Sequence, residues 1–222
     1  MQRESGSDVR VPVIFVLAGV NGAGKSSVAG ASIQKRGGPF FNPDEVARRL
    51  RAEEGLTLLE SNERAWKEGK ERLEAAISER KDFTFESTLG GNTIPRLLGK
   101  AAAAGLDVVV WFVGLSSPEQ HLARVRARVA AGGHDIPEEK IRERWDGSRR
   151  NIIDLLPSLA ELMVYDNSAE ADPVTNEIPA PILRLHWRRG RVLGPDIEQL
   201  RQTPEWAEPI VANALRLQRL GR

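Results

Sequence analysis

Gly19-Val20-Asn21-Gly22-Ala23-Gly24-Lys25-Ser26 follows directly on the apolar run Val11 to Ala18, and its reading decides the fold. The run before it is continuous, rich in β-branched residues, and bounded by Pro12 and Gly19, which predicts a buried parallel strand. The octet has the spacing G-x-x-x-x-G-K-S, and a helix is expected after it from about Lys25 to Gln34. Between a strand and a helix, its glycines permit a tight backbone path that turns successive amides toward a polyanion. Lys25 would reach the β- and γ-phosphates of a nucleoside triphosphate, and the Ser26 hydroxyl would complete coordination of Mg2+. The positive end of the helix favours the same anion. Gly19, Val20, Asn21, Gly22, Ala23, Gly24, Lys25, Ser26 and Ser27 are therefore the candidate nucleotide-binding residues, for ATP or GTP.

Outward from this loop, Gly37, Gly38 and Pro39 break the helix, and Phe40 with Phe41 makes a short second strand. Asn42 caps a helix that has Pro43 in its first turn and runs through Val46 and Leu50. A longer helix follows, in which Trp66, Leu73 and Ile77 read as an inward packing stripe. Further strands are expected from Phe83 to Phe85, Val108 to Val113 and Leu162 to Tyr165, with an alanine- and leucine-rich helix ending at Gly105. The alternation predicts an α/β fold of P-loop nucleotide-kinase type. Such a fold has a parallel sheet of about five strands flanked by helices, right-handed crossovers, and ligands at the carboxyl ends of the strands.

Beyond Asp166 the pattern changes to a loop from Ser168 to Pro181, a hairpin from Ile182 to Val192 turning at Gly190, and a helix from Pro204 to Leu217. The expected division is a flexible tail over 1–10, a core over 11–168 with a lid at about 124–150, and an appendage over 169–222 packed on that core. At 222 residues the chain suits one domain with additions. Hydrophobic residues at 41% and charged residues at 28% place it among globular proteins. Val11 to Val20 is too short to span a bilayer, and the polar opening lacks the layout of a secretory leader. The absence of cysteine excludes thiolate metal sites and disulfides, and the cytoplasm is the expected location. A net charge of +1 argues against nucleic acid and acidic membranes as partners.

Asp44 follows the second strand, near the loop's edge of the sheet. Its carboxylate either accepts a proton from a hydroxyl attacking the γ-phosphate or supports the first turn of its own helix. Glu86 closes an apolar strand, so it needs water, a partner or a cation, and it is a candidate for Mg2+ through water or for substrate. Thr88 either binds substrate or, like Ser87, caps the next helix. Arg124 and Arg128 share a helical face, and the turn Gly132-Gly133-His134-Asp135 separates them from Arg142 and Arg144. Two such helices would form a lid that neutralises charge in the transition state, the alternative being a solvated face. His134 reads as a capping or packing group. Asn167, after the fifth strand, either hydrogen-bonds the purine or belongs to an ordinary turn.

Four stretches resemble the zeta-toxin family of P-loop kinases. They are Ala18 to Ser26, Phe41-Asn42-Pro43-Asp44-Glu45, Phe85-Glu86-Ser87-Thr88-Leu89, and Gly132-Gly133-His134-Asp135-Ile136-Pro137; Tyr165-Asp166-Asn167-Ser168 adds a fifth. The resemblance implies transfer of phosphate from ATP to a hydroxyl of a nucleotide sugar, UDP-N-acetylglucosamine in the best-known members, and a possible antitoxin partner. It implies Asp44 as catalytic base, Lys25 on phosphate, and Arg128 with Arg142 or Arg144 on the γ-phosphate. Asn42, Asp44, Glu86 and Thr88 would form the acceptor side, with Arg124 and Asn167 on the nucleotide side. Two alternatives stand beside it. One is an ATP-hydrolysing interaction module using the C-terminal hairpin and helix, with Trp187 and Trp206; the other is a kinase acting on nucleic-acid ends.

Overall fold

The computed structural model describes residues 10–28, 40–172, 174–175 and 177–221. Residues 1–9 of the expected tail and the expected helix beyond Val28 lie outside these. β1 (Val13–Ala18) leads through the glycine loop into α1, described over 25–28. There follow β2 (Phe40–Phe41), α2 (Pro43–Glu54), α3 (Leu58–Glu79), β3 (Phe83–Ser87), α4 (Thr93–Ala103), β4 (Asp107–Gly114), α5 (Pro118–Ala130), α6 (Glu138–Leu155) and β5 (Glu161–Asp166). The chain closes with β6 (Ile182–Arg188), β7 (Arg191–Gly194), α7 (Ile197–Arg201) and α8 (Glu208–Leu220).

One seven-stranded sheet has the order β2-β3-β1-β4-β5-β6-β7. Its first five strands are parallel. The C-terminal hairpin is not a separate cover: β6 pairs antiparallel with β5, and β7 with β6, extending the same sheet. Without it β5 would be an open edge, a template for stray pairing. The winding reverses at β1, so the carboxyl ends of β1 and β3 form the crevice where such sheets bind ligands.

Period-two alternation assigns the two faces. Ile14, Val16 and Ala18 join Phe85, Val110, Phe112 and Leu162 in the larger core, under α3, α4, α6 and α8. Phe15, Leu17, Val109 and Trp111 form the core of the opposite face. Two expectations change here. Trp187 and Trp206 are 2% and 3% exposed and belong to the larger core, so they offer no partner surface. On α3 the inward stripe is Ser61, Ala65, Gly69, Leu73 and Ala76, whereas Trp66 is 50% exposed. Leu73 keeps its expected inward place and Ile77 packs partly buried against the core; Trp66 alone of the expected three faces out, because the small residues Ser61, Ala65 and Gly69 carry the inward face there and hydropathy weights them weakly. No helix of the described residues is long and apolar enough to cross a membrane.

Candidate active site

The P-loop is moulded onto the carboxyl edge of the sheet. Gly19, Gly22 and Gly24 have φ of 146°, 83° and 77°, a region that disfavours side chains. A Cβ on Gly19 would strike the Val113 carbonyl, and one on Gly24 would strike Asn167 Nδ2. Turns within the loop use the amides of Ala23 and Ser27, as Ala23 N–H donates to the Val20 carbonyl and Ser27 N–H to the Gly24 carbonyl, each at 3.0 Å. The amides of Gly22, Gly24, Lys25 and Ser26 have no acceptor among these loop and turn bonds of the described residues, and Ser26 and Ser27 are exposed. This is the donor set a triphosphate needs.

Lys25 is 8% exposed; its ammonium donates to the Gly19 carbonyl at 2.8 Å and pairs with Glu86 Oε1 at 3.2 Å. The acid at the end of β3 thus has its partner in the P-loop. Asn42 ties this pair to the next helix: its carbonyl oxygen accepts from the amides of Asp44 and Glu45 at 2.9 and 3.4 Å, and its amide donates to Glu86 Oε2 at 3.4 Å. One side chain therefore caps α2 and sets the spacing between Asp44 and Glu86. Asp44 is half-buried while Glu45 is exposed, as the helical turn between them requires.

These groups stand at one end of a cavity of about 650 Å³, bordered there by Asn21, Asp44, Glu86, Thr88 and Arg144. The loop after β3 forms its floor. Leu89 sits in the left-handed region at φ 52° although it has a side chain, and that side chain is 1% exposed. Asn151 of α6 donates to the carbonyls of Leu89 and Gly91 at 2.6 and 3.1 Å. Gly147 meets the Gly90 backbone with no room for a Cβ, and a Cβ on Gly90 would lie 2.6 Å from Arg144 Cγ. The second half of the expected lid is therefore pinned to the loop after β3, and Arg144 borders the same cavity as Glu86 and Thr88. Thr88 Oγ1 accepts from Gly90 N–H at 3.4 Å and Ser87 Oγ from Leu89 N–H at 3.1 Å, so neither caps α4, whose N-cap is Asn92.

The family model for the AAA domain designated AAA_33 matches residues 14–152, more than half of the chain and all of this site except Asn167. The chain belongs to this family. Its fold is that of P-loop kinases, and a P-loop nucleotide-binding site comes with it. The AAA_33 chain is similar to the complex AvrRxo1-ORF1:AvrRxo1-ORF2 with sulphate ions, at 16% identity and a TM-score of 0.62, over 95% of this chain and 76% of that one. The same complex with ATP matches at 18% identity and TM-score 0.61, over 89% and 65%. The PezAT chromosomal toxin-antitoxin system of Streptococcus pneumoniae matches at 16% identity and TM-score 0.51, over 74% and 71%. An uncharacterized protein of Haemophilus influenzae is 39% identical over 70 residues, which are 32% of this chain and half of that protein. The chain thus spans half the length of the curated relative it matches.

In this AAA_33 chain the expected arginines divide. Arg144 reaches in, donating to Asn21 Oδ1 at 2.7 Å. Burial pushes its pKa down while Asp44 and Glu143 pull it up, so Asp44 and Arg144 feel each other's charge. Arg142, the other residue expected at that position, faces outward and pairs with Glu119 and Glu138 at 2.7 and 2.8 Å, because helical geometry puts residues 142 and 144 on different faces. Arg128 is half-buried and donates to the His134 carbonyl at 3.2 Å, holding the lid turn. Arg124 donates to the carbonyls of Asn167 and Ala169 at 2.8 and 3.1 Å. Asn167, expected at the purine, is 6% exposed and donates its amide to the Ala23 carbonyl at 2.8 Å. Asn167 thus braces the P-loop directly, and Arg124 holds the turn that carries Asn167.

His121 escaped the sequence reading. It is 1% exposed, and its Nδ1–H donates to the Asn21 carbonyl at 2.8 Å. Burial first, then the charges of Lys25 and Arg124, lower its pKa to about 4 against the raising effect of that hydrogen bond, so the ring is neutral at physiological pH. With Val20, Leu122, Val125 and Ile141 packed alongside, α5 is a rigid back wall for the P-loop. The available signal was its place one turn before Arg124 on the same face.

Proposed function

We propose that this protein transfers the γ-phosphate of ATP to a hydroxyl of a small molecule, in the manner of the zeta-toxin kinases, with a nucleotide sugar such as UDP-N-acetylglucosamine as the acceptor. The observation that carries the reading is the cavity in which Asp44, Glu86 and Arg144 meet beside the P-loop. The amides of the loop and Lys25 hold the triphosphate, releasing Lys25 from Gly19 and Glu86 as phosphate oxygens replace them. Asp44 takes the proton of the acceptor hydroxyl as its oxygen attacks the γ-phosphorus and ADP leaves. Arg144, a fixed guanidinium, would swing from Asn21 to the transferring group and offset its charge.

Mg2+ suits the residues present. The exposed Ser26 hydroxyl and the half-buried Glu86 carboxylate beside the P-loop are the hard oxygen donors this ion takes, and it is otherwise held by phosphates and water. Ser26 would bind it, Glu86 through a water, and it would supply charge neutralisation between the β- and γ-phosphates. Likeness to toxin-antitoxin complexes favours an antitoxin as the protein partner.

The test is acceptor-dependent formation of ADP and of a phosphorylated product by mass spectrometry across sugar nucleotides. Asp44→Ala should lower kcat about a thousandfold, the usual scale for loss of a general base plus its positioning. An acceptor-dependent rate unchanged in Asp44→Ala would remove the base assignment. Turnover of ATP with no acceptor dependence would favour the interaction module instead.

A further inference from the structure

The cavity runs well beyond the reacting groups, and its far wall has had no role so far. That wall is α3, which presents Leu59, Asn62, Trp66 and Lys70, spaced three or four residues apart so that they form one stripe. Leu59 is 69% and Trp66 50% exposed, yet the rest of the helix surface carries Glu63, Arg64, Lys67 and Glu71. Large apolar side chains left open along a cavity, on a helix otherwise faced with charge, mark a binding surface.

The wall is also held at a fixed distance from the chemistry. Gly69 lies on the core side of α3, and a Cβ there would come within 2.6 Å of the Phe41 ring. Phe41 ends β2 directly before Asn42 and lines the same cavity, so the α3 stripe is pressed against the segment that carries Asp44. Lys70 Nζ pairs with Glu74 at 2.9 Å, a solvent-accessible pair that is readily exchanged for a stronger anion. Lys140 of α6 also lines the cavity.

We propose that Trp66 and Lys70 select the acceptor, Trp66 stacking on a planar heteroaromatic ring and Lys70 pairing with a phosphate attached to it. The inference rests on the kinase reading and adds the residues that decide which hydroxyl compounds enter. One helical turn separates the two side chains, about 6 Å, which matches the offset of a base from its first phosphates. Stacking tolerates different bases, so the ring matters more than its edge pattern. Small polyols and sugar acids without a ring would lose both contacts.

The experiment uses the full chain with its P-loop saturated by a non-hydrolysable ATP analogue and Mg2+, so that probes meet only the acceptor side. Uridine 5′-diphosphate, uridine and ribose 5-phosphate are titrated by calorimetry. The expected result is saturable binding of uridine 5′-diphosphate, with uridine and ribose 5-phosphate at least tenfold weaker. Trp66→Ala should weaken uridine 5′-diphosphate at least tenfold, Trp66→Phe should restore most of that, and Lys70→Gln should weaken the diphosphate while sparing uridine. Absence of saturable binding, or affinities within twofold of the parent in both Trp66→Ala and Lys70→Gln, would overturn the proposal. Circular dichroism confirms that the variants fold, which the exposed Trp66 and half-buried Lys70 should permit. A phosphorylated acceptor whose KM is unmoved by Trp66→Ala overturns this inference and leaves the kinase reading intact. Binding that depends on Trp66, with no transfer to any acceptor, has the reverse meaning.

Discussion

Gly24 and Gly69 each press against a neighbour's side chain, Asn167 in the P-loop and Phe41 under the α3 wall. Gly24 has φ 77° and sits in a motif whose spacing is itself the signal, so its role is written in eight consecutive residues. Gly69 lies in an ordinary helix, where a glycine in sequence looks like a mild defect. Its purpose appears only once β2 and α3 are packed together. The P-loop and the cavity beside it thus differ in kind: the loop is made of backbone, local and self-contained, while the cavity is lined by side chains gathered from distant segments.

The largest expected break of this contrast is Lys25→Ala. Losing this buried ammonium should lower phosphoryl transfer by about a thousandfold or more, measured as ADP release. Next comes Gly24→Ala, which meets both a positive φ and Asn167. It should cost about 3 kcal/mol in denaturant unfolding, and Asn167→Ala in the same chain should recover only the steric part. A full recovery would mean that backbone conformation contributes nothing there.

Acid sharpens the contrast from behind the loop. The folded-state pKa of His121 lies at about 4, below the 6.5 of the unfolded chain, so between those values the unfolded chain binds more protons. The contribution is complete above about pH 6.5 and falls away as pH drops toward 4, by at most about 3 kcal/mol. Urea midpoints followed over that range should show a shallower slope in His121→Gln; an identical slope would clear His121 of the effect. The smallest break is at Asn42. Asn42→Asp retains the cap of α2 but sets a carboxylate against Glu86, whereas Asn42→Ala loses the cap as well, at about 1 kcal/mol. The first should therefore impair activity more than stability and the second both, read from kcat and melting temperature together.

The two acids at the strand ends are legible in the sequence, and their partners are not. Glu86 was singled out because a carboxylate closing an apolar strand demands a partner, and the structure supplies Lys25 at 3.2 Å. Asp44 was placed by the short strand before it, and it borders the same cavity. Arg142 and Arg144 were left together because two residues apart on a helix gives different faces without saying which face looks inward. Trp66 was misread for a related reason, since a large apolar residue on an amphipathic helix is most often core. Asn151 has no local signature and His121 only its place one turn before Arg124, because each matters through a backbone carbonyl far away in the chain.

Locally encoded features were settled by the amino-acid order itself: the phosphate loop, the alternation that makes a parallel sheet, and the cap at Asn42. Each depends on backbone dihedrals or periodicities spanning a few residues, which neighbours in sequence dictate. Tertiary packing alone decided that the C-terminal hairpin continues the sheet, that Asn167 braces the loop with Arg124 behind it, that Arg144 and not Arg142 lines the cavity, and that Trp66 looks into it. Those outcomes depend on which face of each helix is buried against which strand, a choice made by close packing of the whole domain and not by any one segment.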